Sequence, residues 1–141
     1  MRKIKKLVAV LLAATMMMAM GVTAFAATPT TCKFTKTNGS ALKLGMDTKL
    51  IESCDLSDDN VATVVFKTYS LLGYKGDIVG VSGDAVVSTG ENDDGDFYAV
   101  INMNKATTKE TGVPVRLTFK FSLGITPPGM SNPMDAMFVC Y

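Results

Sequence analysis

The chain of 141 residues has no histidine, no tryptophan, three cysteines and five prolines. Without imidazole it can form no Ser-His-Asp triad, no Cys-His pair and no histidine-ligated metal site. Its one long apolar run, Leu7 to Met20, covers about 14 residues and is too short to span a bilayer stably. Beyond residue 6 it has no basic cluster, which argues against nucleic acid or anionic lipid headgroups as partners. It also lacks an internal repeat, a low-complexity block, a linker and any long segment of 3.6-residue period.

The head of the chain is distinctive. Arg2, Lys3, Lys5 and Lys6 precede the apolar run, Gly21 breaks it, and Ala24-Phe25-Ala26 offers small residues at the positions signal peptidase accepts. Residues 1–26 therefore read as a secretory signal peptide and residues 27–141 as one secreted domain, large enough for a single core. Cleavage lowers Lys plus Arg from 14 to 10 against 13 acidic residues, so the net charge moves from +1 to −3. Cys32 follows Thr30-Thr31 rather than the small-residue motif of a lipoprotein, and the tail shows neither sorting motif nor apolar stretch. The expected location is extracellular, free or loosely surface-associated, with no membrane insertion after cleavage. The basic head, alanine-rich export signal and lack of a lipid anchor fit Gram-positive bacterial secretion.

Three cysteines in an exported chain allow one internal disulfide and leave one thiol. The pairings Cys32–Cys54, Cys32–Cys140 and Cys54–Cys140 are all open. The first is favoured if the strand opened by Cys32 pairs antiparallel with the next, closed by Cys54, so that their far ends meet. Closing that loop of roughly 20 residues is worth about 3 kcal/mol. Cys140 is then a buried thiol or the link in a disulfide-bonded dimer.

The segment Val113-Pro-Val115-Arg-Leu117-Thr-Phe119-Lys-Phe121-Ser-Leu123 alternates apolar and non-apolar residues throughout, as a strand with one face on a core does. Pro114 near its start suits an edge or strand-opening position. Val61–Tyr69 repeats the pattern with Ala62, Val64 and Phe66 on one face. Phe97–Met103 places Phe97, Ala99, Ile101 and Met103 together. Cys32–Thr37, Thr48–Ser53, Asp77–Val81, Ala85–Thr89 and Met137–Tyr141 are shorter candidates. Asn38-Gly39, Asp58-Asp59-Asn60, Ser82-Gly83-Asp84, Asp93-Asp94-Gly95-Asp96 and Pro127-Pro128-Gly129 supply the turns between them. About eight strands at this spacing, with one short helical turn within Ser40 to Met46, predict an all-β, antiparallel, immunoglobulin-like sandwich.

Catalytic chemistry finds little support. Ser40-Ala-Leu-Lys43 matches the S-x-x-K pattern of serine acyl-enzymes, but the chain is too small for that fold and lacks the partner motifs. The acidic loop Glu91–Asp96 fails the EF-hand spacing and reads as a solvated hairpin tip. Glycines 73, 76, 80 and 83 lack the spacing of a phosphate loop. The expectation is that the protein is not an enzyme. Met130, Met134 and Met137, with Cys140 close behind, are chemically the most unusual group. Thioethers ligate Cu(I) or iron, but they also fill cores and adaptable binding surfaces.

The order of these features resembles the NEAT (near-transporter) domains, haem-binding β-sandwiches exported by Gram-positive bacteria. The matching parts are Cys32–Thr37, then Ser40-Ala-Leu-Lys-Leu-Gly-Met46, then Val61–Tyr69, and finally Val113–Leu123 with Met130-Ser-Asn-Pro-Met134-Asp135. In the family the last strand opens Y-x-x-x-Y-D, and its first tyrosine binds iron. Met130 and Met134 stand in those two places here. The resemblance implies haem or a similar flat apolar ligand, with Met130 as axial metal ligand, Met134 as its neighbour, and Ser40 and Met46 as the roof. A thioether in place of a phenolate favours ferrous iron and weaker binding. The alternative is an adhesive module that contacts a cell-surface or host protein, or a glycan, through its loops and holds no small molecule. Its mark is an exposed apolar or aromatic patch, with Tyr69 to Tyr74 the candidate. The leader sets a first prediction: N-terminal sequencing of the exported protein should start at Ala27, and extracellular protein retaining residues 1–26 would contradict it.

Overall fold

The computed structural model describes residues 28–42, 45–71, 73–128 and 130–141. The leader expected over residues 1–26 lies outside them, as do Lys43 of the S-x-x-K pattern and Gly129. The described residues form nine strands and two helical turns. In chain order these are β1 (Cys32–Thr35), α1 (Met46–Lys49), β2 (Ile51–Leu56), β3 (Val61–Phe66), β4 (Tyr69–Leu71), β5 (Tyr74–Ser82), β6 (Val86–Glu91), β7 (Phe97–Asn102), a 3-10 turn (Met103–Lys105), β8 (Val113–Phe121) and β9 (Met134–Cys140). One sheet has the order β1-β9-β8-β5-β4, the other β2-β3-β7-β6, and every pairing is antiparallel. The fold is an all-β antiparallel sandwich.

Side-chain alternation builds the core. In β8, Val113, Val115, Leu117, Phe119 and Phe121 point inward and are buried, while Pro114, Arg116, Thr118 and Lys120 point out. Ala62, Val64 and Phe66 of β3 meet them from the facing sheet. A file of aromatic rings crosses the interior. Phe138 of β9 lies 5.1 Å from Phe34 of β1, Phe34 lies 5.9 Å from Phe66, and Phe66 lies 6.0 Å from Phe97 of β7. Such pairs add about 0.5–1.5 kcal/mol each beyond the area they bury.

Several expected boundaries move for local reasons. The run Val61–Tyr69 is two strands rather than one. After Phe66 the chain leaves one sheet, the Lys67 amide donates to the Leu50 carbonyl at 3.0 Å, and Tyr69 opens β4 beside β5 in the other sheet. That crossing supplies the ninth strand. The α1 turn starts at Met46, the last residue of the expected Ser40–Met46 stretch, after Gly45 adopts a φ of +74°, which glycine tolerates freely; residues 43 and 44 lie outside the described ones. Thr48 and Lys49, expected in a strand, belong to this turn, and β2 starts at Ile51. The last strand begins three residues early. The Asn132 side-chain amide bonds both the N–H and the C=O of Phe119, at 3.0 and 2.9 Å, and sets Met134 opposite Leu117. Pro114 pairs with Met137 of β9 on one side only, since on the other side β5 ends at Ser82 opposite Arg116.

The strand argument for a Cys32–Cys54 disulfide is overturned. β1 pairs with β9 and sits in a different sheet from β2, so those two strands have no shared far end. All three cysteines are free thiols. Of the candidate surface patch at Tyr69 to Tyr74, Tyr69 is only 2 % exposed and Tyr74 is half-buried, while the side chains of Leu71 and Leu72 lie outside the described ones. Among the described residues the large exposed apolar side chains are Val79, Val87, Leu123 and Ile125.

The aromatic file generates a stability prediction. Phe34→Ala should destabilise the fold by about 3–5 kcal/mol in urea unfolding, because it empties a site in contact with both sheets. Lys33→Ala, one residue away on the exposed face, should stay within about 0.5 kcal/mol of the parent. Equal effects would contradict this assignment of the core.

Candidate functional site

The four residues expected to hold a flat ligand are placed apart in role. Met46 and Met134 are buried, 4 % and 8 % exposed, and belong to the central core. Ser40 is exposed, and both its amide and its hydroxyl donate to the Asn38 side-chain oxygen, at 3.0 and 2.6 Å, which closes the turn after β1. Met130 is half-buried against the edge of the core, its amide donating to the Pro127 carbonyl at 3.2 Å. None of the four lines the recesses described next.

At one end of the sandwich the three cysteines converge. Cys32 and Cys140 face each other across the β1–β9 pair. The neighbouring pair, Thr31 and Tyr141, exchanges both backbone hydrogen bonds, at 2.8 and 3.0 Å. Cys32 and Cys140 therefore occupy the close-approach position of the antiparallel ladder, where side chains lie nearest. Cys54 reaches the same point from the facing sheet, two residues before Leu56, which also packs inward. The three Sγ atoms lie within 4.8 Å of one another, with Cys54 and Cys140 3.6 Å apart. Among the described residues this is the group of three side chains close enough to share an ion; the carboxylates of the Glu91–Asp96 loop form none.

The cluster favours one negative charge shared among three sulfurs. Thiol donation from Cys32 and then Cys54 holds Cys140 well below the ordinary thiol range, at about 4, although burial acts against this. Donation to Cys140 pushes Cys32 up to about 12, with burial and repulsion adding to the rise. Cys54 is raised further, again chiefly by its hydrogen bond to Cys140. Beside the cluster lies a recess of about 250 Å³ lined by Asn60, Met103, Cys140 and Tyr141, among others.

The opposite end carries different chemistry. A groove of about 480 Å³ opens between the sheets, with Phe66, Ile78 and the half-buried Phe97 toward the core and Lys67, Asp77, Glu91 and Asp96 along its walls. Thr68 donates to the Asp77 carboxylate at 2.5 Å, tying the β3–β4 crossing to β5. The acidic loop is the β6–β7 hairpin tip. The Asn92 side-chain oxygen accepts from the amides of Asp94 and Asp96, at 3.0 and 2.9 Å, and this fixes the wall containing Asp96. Past Thr68 and Asp77 the groove adjoins a second depression bordered by Lys75, Lys120, Phe121 and Ser122.

The sequence pointed to neither assembly directly. The cysteines were legible only as pairs, although each shares the inward parity of a neighbouring core residue: Phe34, Leu56 or Phe138. The groove had one visible trace, the acid-rich turn between two strands. Comparisons with protein-family models, curated proteins and solved structures give no match. The fold and these two ends therefore define the chain as an antiparallel β-sandwich with a sulfur cluster at one end and an open charged groove at the other.

Burial and proton sharing protect the thiols together. In native, reduced protein Cys140 carries the charge but is only 2 % exposed, while Cys32 and Cys54 are half-exposed but held protonated, so brief alkylation should be slower at all three than in denaturant. Peptide mapping reads the rates; native labelling as fast as denatured labelling would contradict this.

Proposed function

We propose that this is an exported interaction module that grips an extended partner, a glycan or a peptide segment, along the groove at the β6–β7 end. The reading is carried by the trough itself. It has an apolar floor at Phe97 and Ile78, with carboxylates on one wall at Glu91 and Asp96, and it adjoins a depression bordered by Lys75 and Lys120. Exposed Val79 stands at its rim. A partner chain lying there would cover apolar surface in the centre and meet charges of both signs at the margin, the usual distribution of interaction energy in an interface. An enzymatic role draws no support from the site: Glu91 and Asp96 lie at a strand end and in a turn, and Asp77, within β5, accepts from Thr68. Export by the leader remains part of the proposal, and it places the partner outside the cell.

The haem reading is second. It is favoured by one observation, the half-exposed thioether of Met130 beside the core.

The module reading is tested with the protein lacking residues 1–26, probed on a glycan array and against biotinylated cell-surface proteins. Val79→Asp combined with Glu91→Lys should weaken whatever contact is found by about tenfold or more, with circular dichroism unchanged. Binding that ignores both substitutions would move the contact away from the groove. Hemin mixed at stoichiometric protein should leave the Soret band unshifted. A shift abolished by Met130→Ala would replace the module reading with the haem reading.

A further inference from the structure

We propose that Cys32, Cys54 and Cys140 form a three-sulfur site for a single thiophilic d10 cation of the Cu(I) or Zn(II) class, at the end of the sandwich opposite the groove. Three strands from two sheets deliver the sulfurs, so the tripod exists before any ligand arrives. Sulfurs bound to one metal at about 2.3 Å stand about 4 Å from each other. The observed spacing, 3.6 Å between Cys54 and Cys140 and within 4.8 Å for all three, brackets that value. A disulfide requires about 2.05 Å. It would also join only two of the three and leave a third thiol facing the bond. The geometry is thus nearer to a shared ion than to a crosslink.

The donor set selects the ion. The chain has no histidine, and no carboxylate belongs to the cluster, so hard cations such as calcium and magnesium find no oxygen ligands there. Thiolates prefer Cu(I) and Zn(II). Three sulfurs complete a trigonal Cu(I) site. A tetrahedral Zn(II) needs one more ligand, and the recess beside Cys140 has room for a water molecule. Binding replaces the sulfur-held protons: the cation forms three metal–sulfur bonds and the protons leave to solvent, with no change of oxidation state. Because the tripod joins β1, β9 and β2, the ion would also pin the first and last strands to the opposite sheet, and binding to the folded chain raises its stability.

The experiment uses protein lacking residues 1–26, expressed and purified under reducing, oxygen-free conditions and stripped with a chelator. Cu(I) is titrated against a chromophoric Cu(I) chelator, and Zn(II) by displacement of Co(II), whose sulfur-to-metal charge-transfer band reports thiolate ligation. The expected result is one equivalent per chain for at least one ion, a thermal midpoint raised by several degrees, and loss of the band in Cys32→Ser and in Cys54→Ser. These two are chosen because their side chains are half-exposed, and circular dichroism confirms that each variant is folded. Preference for Cu(I) or for Zn(II) decides which ion the site takes. Absence of one-to-one binding in folded protein overturns the proposal. So does binding that survives both substitutions. A Cys–Cys crosslinked peptide in protein alkylated at harvest, before any exposure to air, would likewise replace the ion site with a disulfide.

Discussion

Pairing of the first strand with the last holds the rest of the structure in place. The hydroxyl of Thr30 reaches the carbonyl of Tyr141 across 111 positions of sequence, and the adjoining backbones of Thr31 and Tyr141 bond reciprocally. Closing so long a loop is entropically costly, although the cost grows only logarithmically with length. Full burial of Phe34 and Phe138, worth about 1.5–3 kcal/mol each, offsets it directly at the pair. Further along, Arg116 and Asp135 meet at 2.8 Å on the exposed face of the neighbouring β8–β9 pair. At an exposed position such an ion pair contributes little stability, but it agrees with the register the core imposes.

From that pair outward the two ends of the sandwich acquire separate characters. The ring file from Phe138 to Phe97 occupies the middle, leaving the interior packed rather than hollow. Polar and reactive groups are pushed to where the strands stop. Gly112 illustrates how tightly one end is drawn in. It sits at φ +74° over the carbonyl of Phe138, and any side chain there would collide with that oxygen. This brings the segment before β8 against β9 near Cys140. At the other end, the crossing at Lys67 and Thr68 parts the sheets enough to open the groove. One face of β7 thus runs from Phe97, beside charged walls, to the turn at Met103, beside the sulfurs.

How much of this was readable in advance depended on whether the information was local. Strict alternation in Val113–Phe121 and Val61–Phe66 marked strands and their inward faces, because a half-buried pleat demands period two. Reading the same rule through to Tyr69 missed the break after Phe66, although Thr68 is polar where an apolar residue is due and Tyr69 is buried on the opposite parity, because the chain changes sheets there. Met46 and Met134 drew attention for their chemistry, yet the fold uses both as filling, a role that unbranched thioether side chains suit. The cysteines were countable, but nothing in their spacing at 32, 54 and 140 says that the neighbour of the first strand is the ninth.

The sequence alone determined the class of the fold, the inward face of its main strands, the turns between them and the lack of any imidazole chemistry. Each is settled by residue type or by contacts a few positions apart. Strand order, the meeting of three distant sulfurs, the fate of the methionines and the presence of a charged groove were decided only by tertiary packing. Those outcomes rest on contacts between segments up to 111 residues apart, and such contacts are selected by how two whole sheet faces fill one another rather than by any local pattern.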